Sequence, residues 1–503
     1  MAITRRQFIK RTGLTAAATA FGPSLFGSPF VRSALAETIG ERYLISIFLD
    51  GGNDGFNTII PYNDGVGNPV LNRLRSAYDQ ARTNTNVSTG NVSRATNPIL
   101  DPHTGCEIGF HPGLAALRDM YNQGMVAVLQ GCGYPAYSLS HEESRIIWET
   151  ANPRRLASFN GKGWIGRHLS LEYGPSDIPA VTIDYTIAGE LQQIGTSVLA
   201  IGNGVENFSF PYDRKYNATS GDFDPDGGID DVPAKKAALA ALFAQAKLGA
   251  APFDGIGISA SATLNATEIV PQIAANYYGD SGLSQPDYDG LNRGTGYALR
   301  DIAKLIYGAE RGQLGPLPPR FFQLRNDGYD LHSNQGGATG IHYNLHYEVA
   351  QGLKLFFDDL ENLGSAYQDI RDKVLVVVWS EFSRRIRQND NGTDHGSQAP
   401  MLLIGGAGAL NGGVYGNHPD VKTALDDEHL TSGDGTDGDG NTAYSQNVLN
   451  GFRSTDFRDV YGTILKHWVN MLPGDVATLL PVDGTGDGDN YWEVANFDVG
   501  FLP

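Results

Sequence analysis

Six short apolar runs, each followed by glycine or polar residues and then by a helical pattern, constrain this chain more than any other feature of its sequence. They are Tyr43 to Leu49, Met125 to Gln130, Ala180 to Ile183, Arg320 to Leu324, Val374 to Trp379 and Met401 to Ile404. Continuous apolar stretches of strand length suit strands covered on both faces, and strands alternating with helices suit crossover connections. The pattern therefore predicts an α/β fold with a mostly parallel central sheet flanked by helices. Helices are expected over Pro112 to Asn122, His141 to Trp148, Tyr297 to Tyr307, Tyr343 to Leu363 and Phe457 to Leu472, the last capped by Asp456 or Thr455. In open sheets of this kind ligands bind beyond the carboxyl ends of the strands, so the residues after each run are where chemistry is expected. The alternation lapses between about Glu206 and Arg293, where a glycine- and aspartate-rich stretch carries an alanine-rich helix, Ala234 to Leu248. This reads as an inserted cap region (206–293) on a single domain spanning 37–503, and Asp426 to Asn450 is a second irregular stretch.

The first 36 residues read differently. Thr4-Arg5-Arg6-Gln7-Phe8-Ile9-Lys10 is a paired-arginine motif, no charge occurs from Thr12 to Val31, and Ala34-Leu35-Ala36 is a small-x-small cleavage signal. Residues 1–36 are thus expected to be a twin-arginine signal peptide. The chain would engage the Tat translocase, cross folded, start at Glu37 when mature and work in the periplasm or outside the cell. Gly13, Gly22, Pro23, Gly27 and Pro29 interrupt the uncharged run, which argues against a stable membrane anchor. Removing five cations and no anions from a formal charge of −19 leaves −24, so nucleic acid is excluded as a partner. Cys106 and Cys132 are too few for a disulfide framework or a thiolate metal site; they are either one disulfide or two small buried residues.

Five strand-end segments carry the chemistry. They contain Asp50-Gly51-Gly52-Asn53-Asp54-Gly55, Ser138-Leu139-Ser140-His141-Glu142-Glu143, Asp330-Leu331-His332, Ser380-Glu381-Phe382-Ser383-Arg384 and Thr393-Asp394-His395-Gly396. Carboxylates and imidazoles without thiolates suit zinc, manganese or magnesium. Such an inventory serves a two-metal centre, in which two cations clamp the attacking and leaving oxygens of a phosphoryl or sulfuryl group. Plainer readings stand beside this one. Ser140 with Glu143 forms a capping box, Asp50 and Asp54 satisfy their own turn, and Arg384, Arg385 and Arg387 either steer an anion or are solvated. His342 and His346, spaced i and i+4, read as ordinary helix residues. Asp222, Asp224 and Asp226, with Gly227 and Ile229, match the front of a calcium loop, although Pro233 stands where a closing glutamate belongs; a solvated acidic loop is the alternative.

At these motifs the chain resembles the exported bacterial proteins of domain-of-unknown-function family 1501 (DUF1501), a branch of the alkaline phosphatase and sulfatase superfamily. The resemblance runs from Leu44-Ile45-Ser46-Ile47-Phe48-Leu49-Asp50 through Asp330-Leu331-His332, Ser380-Glu381-Phe382 and Gly392-Thr393-Asp394-His395-Gly396 to Asp456-Phe457-Arg458-Asp459-Val460-Tyr461. It implies an alkaline phosphatase/sulfatase-like fold and a metal-dependent hydrolase of small anionic phosphate or sulfate esters. By the superfamily's order of motifs, Ser140 falls on the nucleophile position. Asp50 or Asp54, Asp330, His332, Glu381 and His395 fall on metal positions, with His141 and Arg384 as further catalytic candidates. The family's usual arginine is Asp50 here, which favours Asp54 as the ligand. The superfamily's later Asp-His pair reads Glu381-Phe382, so His141 or Asp394 must complete the coordination or only one metal binds. A non-catalytic, calcium-stabilised binding or assembly protein on the same fold is the alternative reading.

Overall fold

A computed structural model of the protein describes residues 40–65, 74–134, 137–193, 195–210, 215–217, 222–224, 232–251, 253–291, 294–315, 317–364, 370–418, 454–481 and 497–503. The export segment, Asp226 and the whole 426–450 stretch lie outside the described residues.

A nine-stranded sheet organises the protein. Numbered along the chain, its strands are β1 (Tyr43–Leu49), β2 (Val126–Gly133), β3 (Ala180–Ile183), β4 (Val198–Ala200), β5 (Phe321–Asn326), β6 (Val374–Trp379), β7 (Ala399–Gly405), β8 (Gly413–Tyr415) and β9 (Thr455–Asp456). Their spatial order is β8-β2-β7-β6-β1-β5-β3-β4, with β9 also on β2. Every pairing is parallel except those that flank β7, so β2 runs in the same direction as β6, β1 and β5. All six sequence-predicted runs are strands of this sheet, with ends moved by a few residues.

The strands are apolar on both faces because both faces are covered. Along β1, Tyr43, Ile45, Ile47 and Leu49 enter one core with the helices Ala115–Asn122, Thr295–Glu310 and Ile341–Gly364, whereas Leu44 and Phe48 enter another with His141–Thr150, Trp164–Glu172 and Phe457–Thr463. Asp456 caps the last of these by accepting from the Arg458 amide, as expected, but the helix ends earlier than predicted, at Thr463, and a widened turn over Ile464–Trp468 follows. In the cap region the alanine-rich helix is Val232–Ala246, and it packs on a longer helix, Phe253–Gly279, that the sequence reading left unassigned. Asp222–Asp224 is a strand paired with Lys215–Asn217, an extended backbone at the front of the proposed calcium loop. Both cysteines are free and buried, and burial pushes the Cys132 thiol up to about 12, which leaves it inert at neutral pH.

Candidate metal centre

Four segments meet beyond the carboxyl ends of β1, β2, β5 and β6. The turn after β1 reaches over the segment after β5 because Gly51, at φ +117°, lies so close to the Asp330 backbone that a Cβ would collide with it. Gly51 thus admits the Asp330 backbone, and Gly52 admits the Phe382 ring. After β6, the antiparallel pair Ser383–Gln388 and Thr393–Gly396 places His395 opposite Arg384. The turn between them is stitched to the segment after β5: the Thr393 amide donates to the Leu331 carbonyl at 3.1 Å, and Gly392 packs directly on the His332 backbone. His141 opens the helix that follows β2.

These connections bring His141, Asp330, His332 and His395 together. One ligand atom each from His141, Asp330 and His395 lies within 4.8 Å of the other two. Nδ1 of His395 is 2.7 Å from the Leu139 carbonyl oxygen, which only accepts, so Nδ1 holds the hydrogen and Nε2 presents a lone pair 3.4 Å from Asp330 Oδ1. Nδ1 of His141 donates to Glu381 Oε1 at 2.7 Å, and its Nε2 is buried without a hydrogen-bond partner, 3.5 Å from Asp330 Oδ1. His332 places Nε2 3.1 Å from Asp330 Oδ1 and 2.9 Å from His395 Nε2, with Nδ1 3.3 Å from Asp394 Oδ1. Three imidazoles thus turn Nε2 toward one carboxylate oxygen, each held from behind by an acceptor on Nδ1. Metal-binding histidines are oriented in this way.

The electrostatics match. The hydrogen bond to Glu381 raises the His141 pKa against the opposing effect of burial, and burial lowers that of His395. At Asp330 burial acts to raise the pKa, but the bond and charge of Arg384 outweigh it and hold the carboxyl below its ordinary value. The set is one carboxylate with three imidazole nitrogens, half-open to solvent at Asp330. Residues of these types can hold a borderline divalent cation such as zinc or manganese, and the buried His141 Nε2, which has no hydrogen-bond partner, is the nitrogen such a cation would meet.

The remaining predicted residues take other places. Glu381 is fully buried: Oε1 receives His141 Nδ1 and the Gly51 amide, and Oε2 receives the Ser380 hydroxyl, so its oxygens face these donors and it orients His141. Asp394 does the same for His332. Asp54 is removed from the cluster. Both of its oxygens accept from Arg82, and Oδ2 also accepts from Gln335 at 2.6 Å, in a buried ion pair. The Arg82 charge outweighs burial there and lowers the Asp54 pKa. Asp50 lies at the margin, 3.3 Å from Arg325, with its pKa raised by burial and by the nearby Glu381 charge. Arg384 is not a solvent-facing anion guide. Its donors go to the carbonyls of Gly51, Gly52, Tyr329 and Thr393 and to Asp330 at 2.7 Å, which makes it the group that fixes Asp330.

Ser140 is exposed and caps the helix, its hydroxyl accepting from the Glu143 amide at 3.5 Å; the Glu143 side chain turns instead to Ser138 and Arg155. The Leu139 carbonyl, which holds His395 Nδ1, is a part of the site that sequence reasoning missed, as are Arg82 and Gln335, which hold Asp54 apart from it. The Phe382 ring, to which the sequence reading gave no role, lies 4.8 Å from His141 and 4.6 Å from His395 as an apolar wall. His342 and His346 are buried helix residues beside His111, as expected of core positions rather than ligands.

A comparison with curated proteins returns no match. Residues 317–434 match the family model described as a protein of unknown function, DUF1501, a stretch that contains Asp330, His332, Glu381, Arg384, Asp394 and His395 but neither Ser140 nor His141. The match covers the part of the chain richest in site residues, and it supports the DUF1501 family.

Proposed function

We propose that the protein is an exported, metal-dependent hydrolase of small phosphate or sulfate esters, on an alkaline phosphatase/sulfatase-like fold, with a single cation rather than two. The observation that carries this is the convergence of the His141 and His395 Nε2 atoms on Asp330 Oδ1 with both Nδ1 atoms already engaged. His141, Asp330 and His395 would hold the cation, with His332 as the fourth donor. When bound, it would supply positive charge for the non-bridging and leaving oxygens of the ester. A second cation finds no comparable set among the described residues, because Asp54 is consumed by Arg82 and Glu381 by His141.

The chain's own residues would do the rest. Arg384 keeps Asp330 ionised and in place, Glu381 and the Leu139 carbonyl keep two imidazoles in the ligating tautomer, and Phe382 excludes water from one side. Ser140 supplies the nucleophile from the start of a helix whose free amides favour an anion. Its Oγ would bond to phosphorus or sulfur as the ester oxygen departs, and water would then cleave the enzyme ester. Export rests on the Thr4 to Lys10 motif and the Ala34-Leu35-Ala36 site.

Metal analysis of the purified mature protein, paired with p-nitrophenyl phosphate and p-nitrophenyl sulfate hydrolysis, tests the reading. One equivalent of zinc or manganese that supports turnover is expected. Stoichiometric metal with no hydrolysis of either ester favours the non-catalytic alternative, and absence of metal binding overturns the site.

A further inference from the structure

A cavity of about 800 Å³ lies beside the amino-terminal end of β4, under the cap helices, and shares no lining residue with the metal centre. Its walls come from the two cap helices, Val232–Ala246 and Phe253–Gly279, and from the loop just before β4. Phe210, Leu239, Phe243, Ile256 and Leu264 supply large apolar surface. The volume falls within the ~300–1,000 Å³ typical of small-molecule sites.

The polar groups in this wall are spent. Ser197 and Ser259 share a hydrogen bond at 2.7 Å, and Thr263 and Thr267 donate to carbonyls of their own helix, Ser259 at 3.1 Å and Leu264 at 2.7 Å. A ligand would find hardly a hydroxyl hydrogen to accept, so a polar body would lose its hydration without replacement. Small residues keep the space open: a Cβ at Gly255 would meet no atom within 4 Å. Lys236, 5.6 Å from the Phe210 ring, is paired with Glu268 at 3.7 Å, and among the described residues of the lining Asp254 alone is charged, its carboxylate accepting from the Gly255 amide. It disfavours an anionic head group.

The geometry points to a binding site for one aliphatic chain with an uncharged head, such as a long-chain alcohol, in the cap region and separate from the metal centre. Apolar binding of this kind has a signature in chain length. Burying each added methylene should tighten affinity roughly fourfold until the cavity is full.

The experiment displaces N-phenyl-1-naphthylamine from the full mature protein with 1-octanol, 1-decanol, 1-dodecanol and 1-tetradecanol, and with tetradecanoate. Saturable one-to-one dye binding, stepwise tightening along the alcohols and at least tenfold weaker displacement by tetradecanoate are expected. Gly255→Leu and Ala260→Phe fill the space and should each weaken dye binding at least tenfold at unchanged Tm; two variants guard against the misfolding of one. Non-saturable dye binding, or equal binding in both filled variants, places the dye on the exposed Leu242, Leu248 and Phe253 side chains and overturns the site. Flat dependence on chain length overturns it as well, and equal displacement by tetradecanoate overturns the head-group assignment.

Discussion

Nδ1 of His141 lies 2.7 Å from Oε1 of the wholly buried Glu381, so the side chain just after β6 orients the imidazole. A ligand and its supporting partner differ in what their loss does. Asp330→Ala or His395→Ala should abolish retention of zinc on gel filtration with little change in Tm. Glu381→Gln keeps an acceptor for the Gly51 amide and should weaken zinc only about 10–100-fold. Competition with a chromophoric chelator measures both. Equal, complete loss in all three variants would return Glu381 to the ligand set.

Asp54 gives the opposite expectation. Its partner Arg82 is buried, and removal of the carboxylate would leave its charge with the carbonyls of Arg385 and Ile386 and the Phe56 ring but no counter-charge of its own. Asp54→Ala should cost about 3–5 kcal/mol of stability, read by urea denaturation, while the folded fraction retains full zinc stoichiometry. Loss of metal from a protein of unchanged stability would instead restore the binuclear arrangement.

Ser140 separates cap from nucleophile. Its capping bond is long, so Ser140→Ala should lower stability by only about 0.5 kcal/mol, at the low end for such caps. Metal content should be unchanged and ester turnover lost. Turnover at the parent rate in this variant assigns the attack to Ser138 or to water.

Much of this was legible in the sequence, and the illegible part has a common cause. The strand runs were readable because a sheet covered on both faces needs unbroken apolar sequence, and Asp330 with His332 was readable because residues two apart on an extended segment point the same way. His141 entered as a candidate because one imidazole was missing from the motif order. Glu381 and Asp54 were assigned the wrong neighbours, since a carboxylate after a strand looks the same whether it faces a cation, a histidine or an arginine. Arg82 lies after a helix 28 residues from Asp54, and the Leu139 acceptor is backbone, invisible to any reading of side chains. Arg384 reads as a charge and not as a buried clamp for four carbonyls. The helix Phe253–Gly279 escaped notice because Gly255, Gly257 and Pro271 weaken its local signal, while packing on Thr295–Glu310 holds it.

Glu190 offers a test of the buried electrostatics behind the site. Burial pushes its carboxyl up to about 8, so the folded protein keeps it protonated at neutral pH. In the unfolded chain the same group ionises above about 4.3. Between those values the unfolded state releases a proton that the folded state retains. The resulting stability is full below the unfolded pKa and lost as pH rises through the folded one. Glu190→Gln is neutral at every pH and removes this slope. The Tm of the variant relative to the parent should therefore rise by several degrees between pH 5 and pH 8, whatever its offset at pH 5. Differential scanning calorimetry across that range measures the difference, and a constant offset would show that Glu190 is ionised in the folded protein.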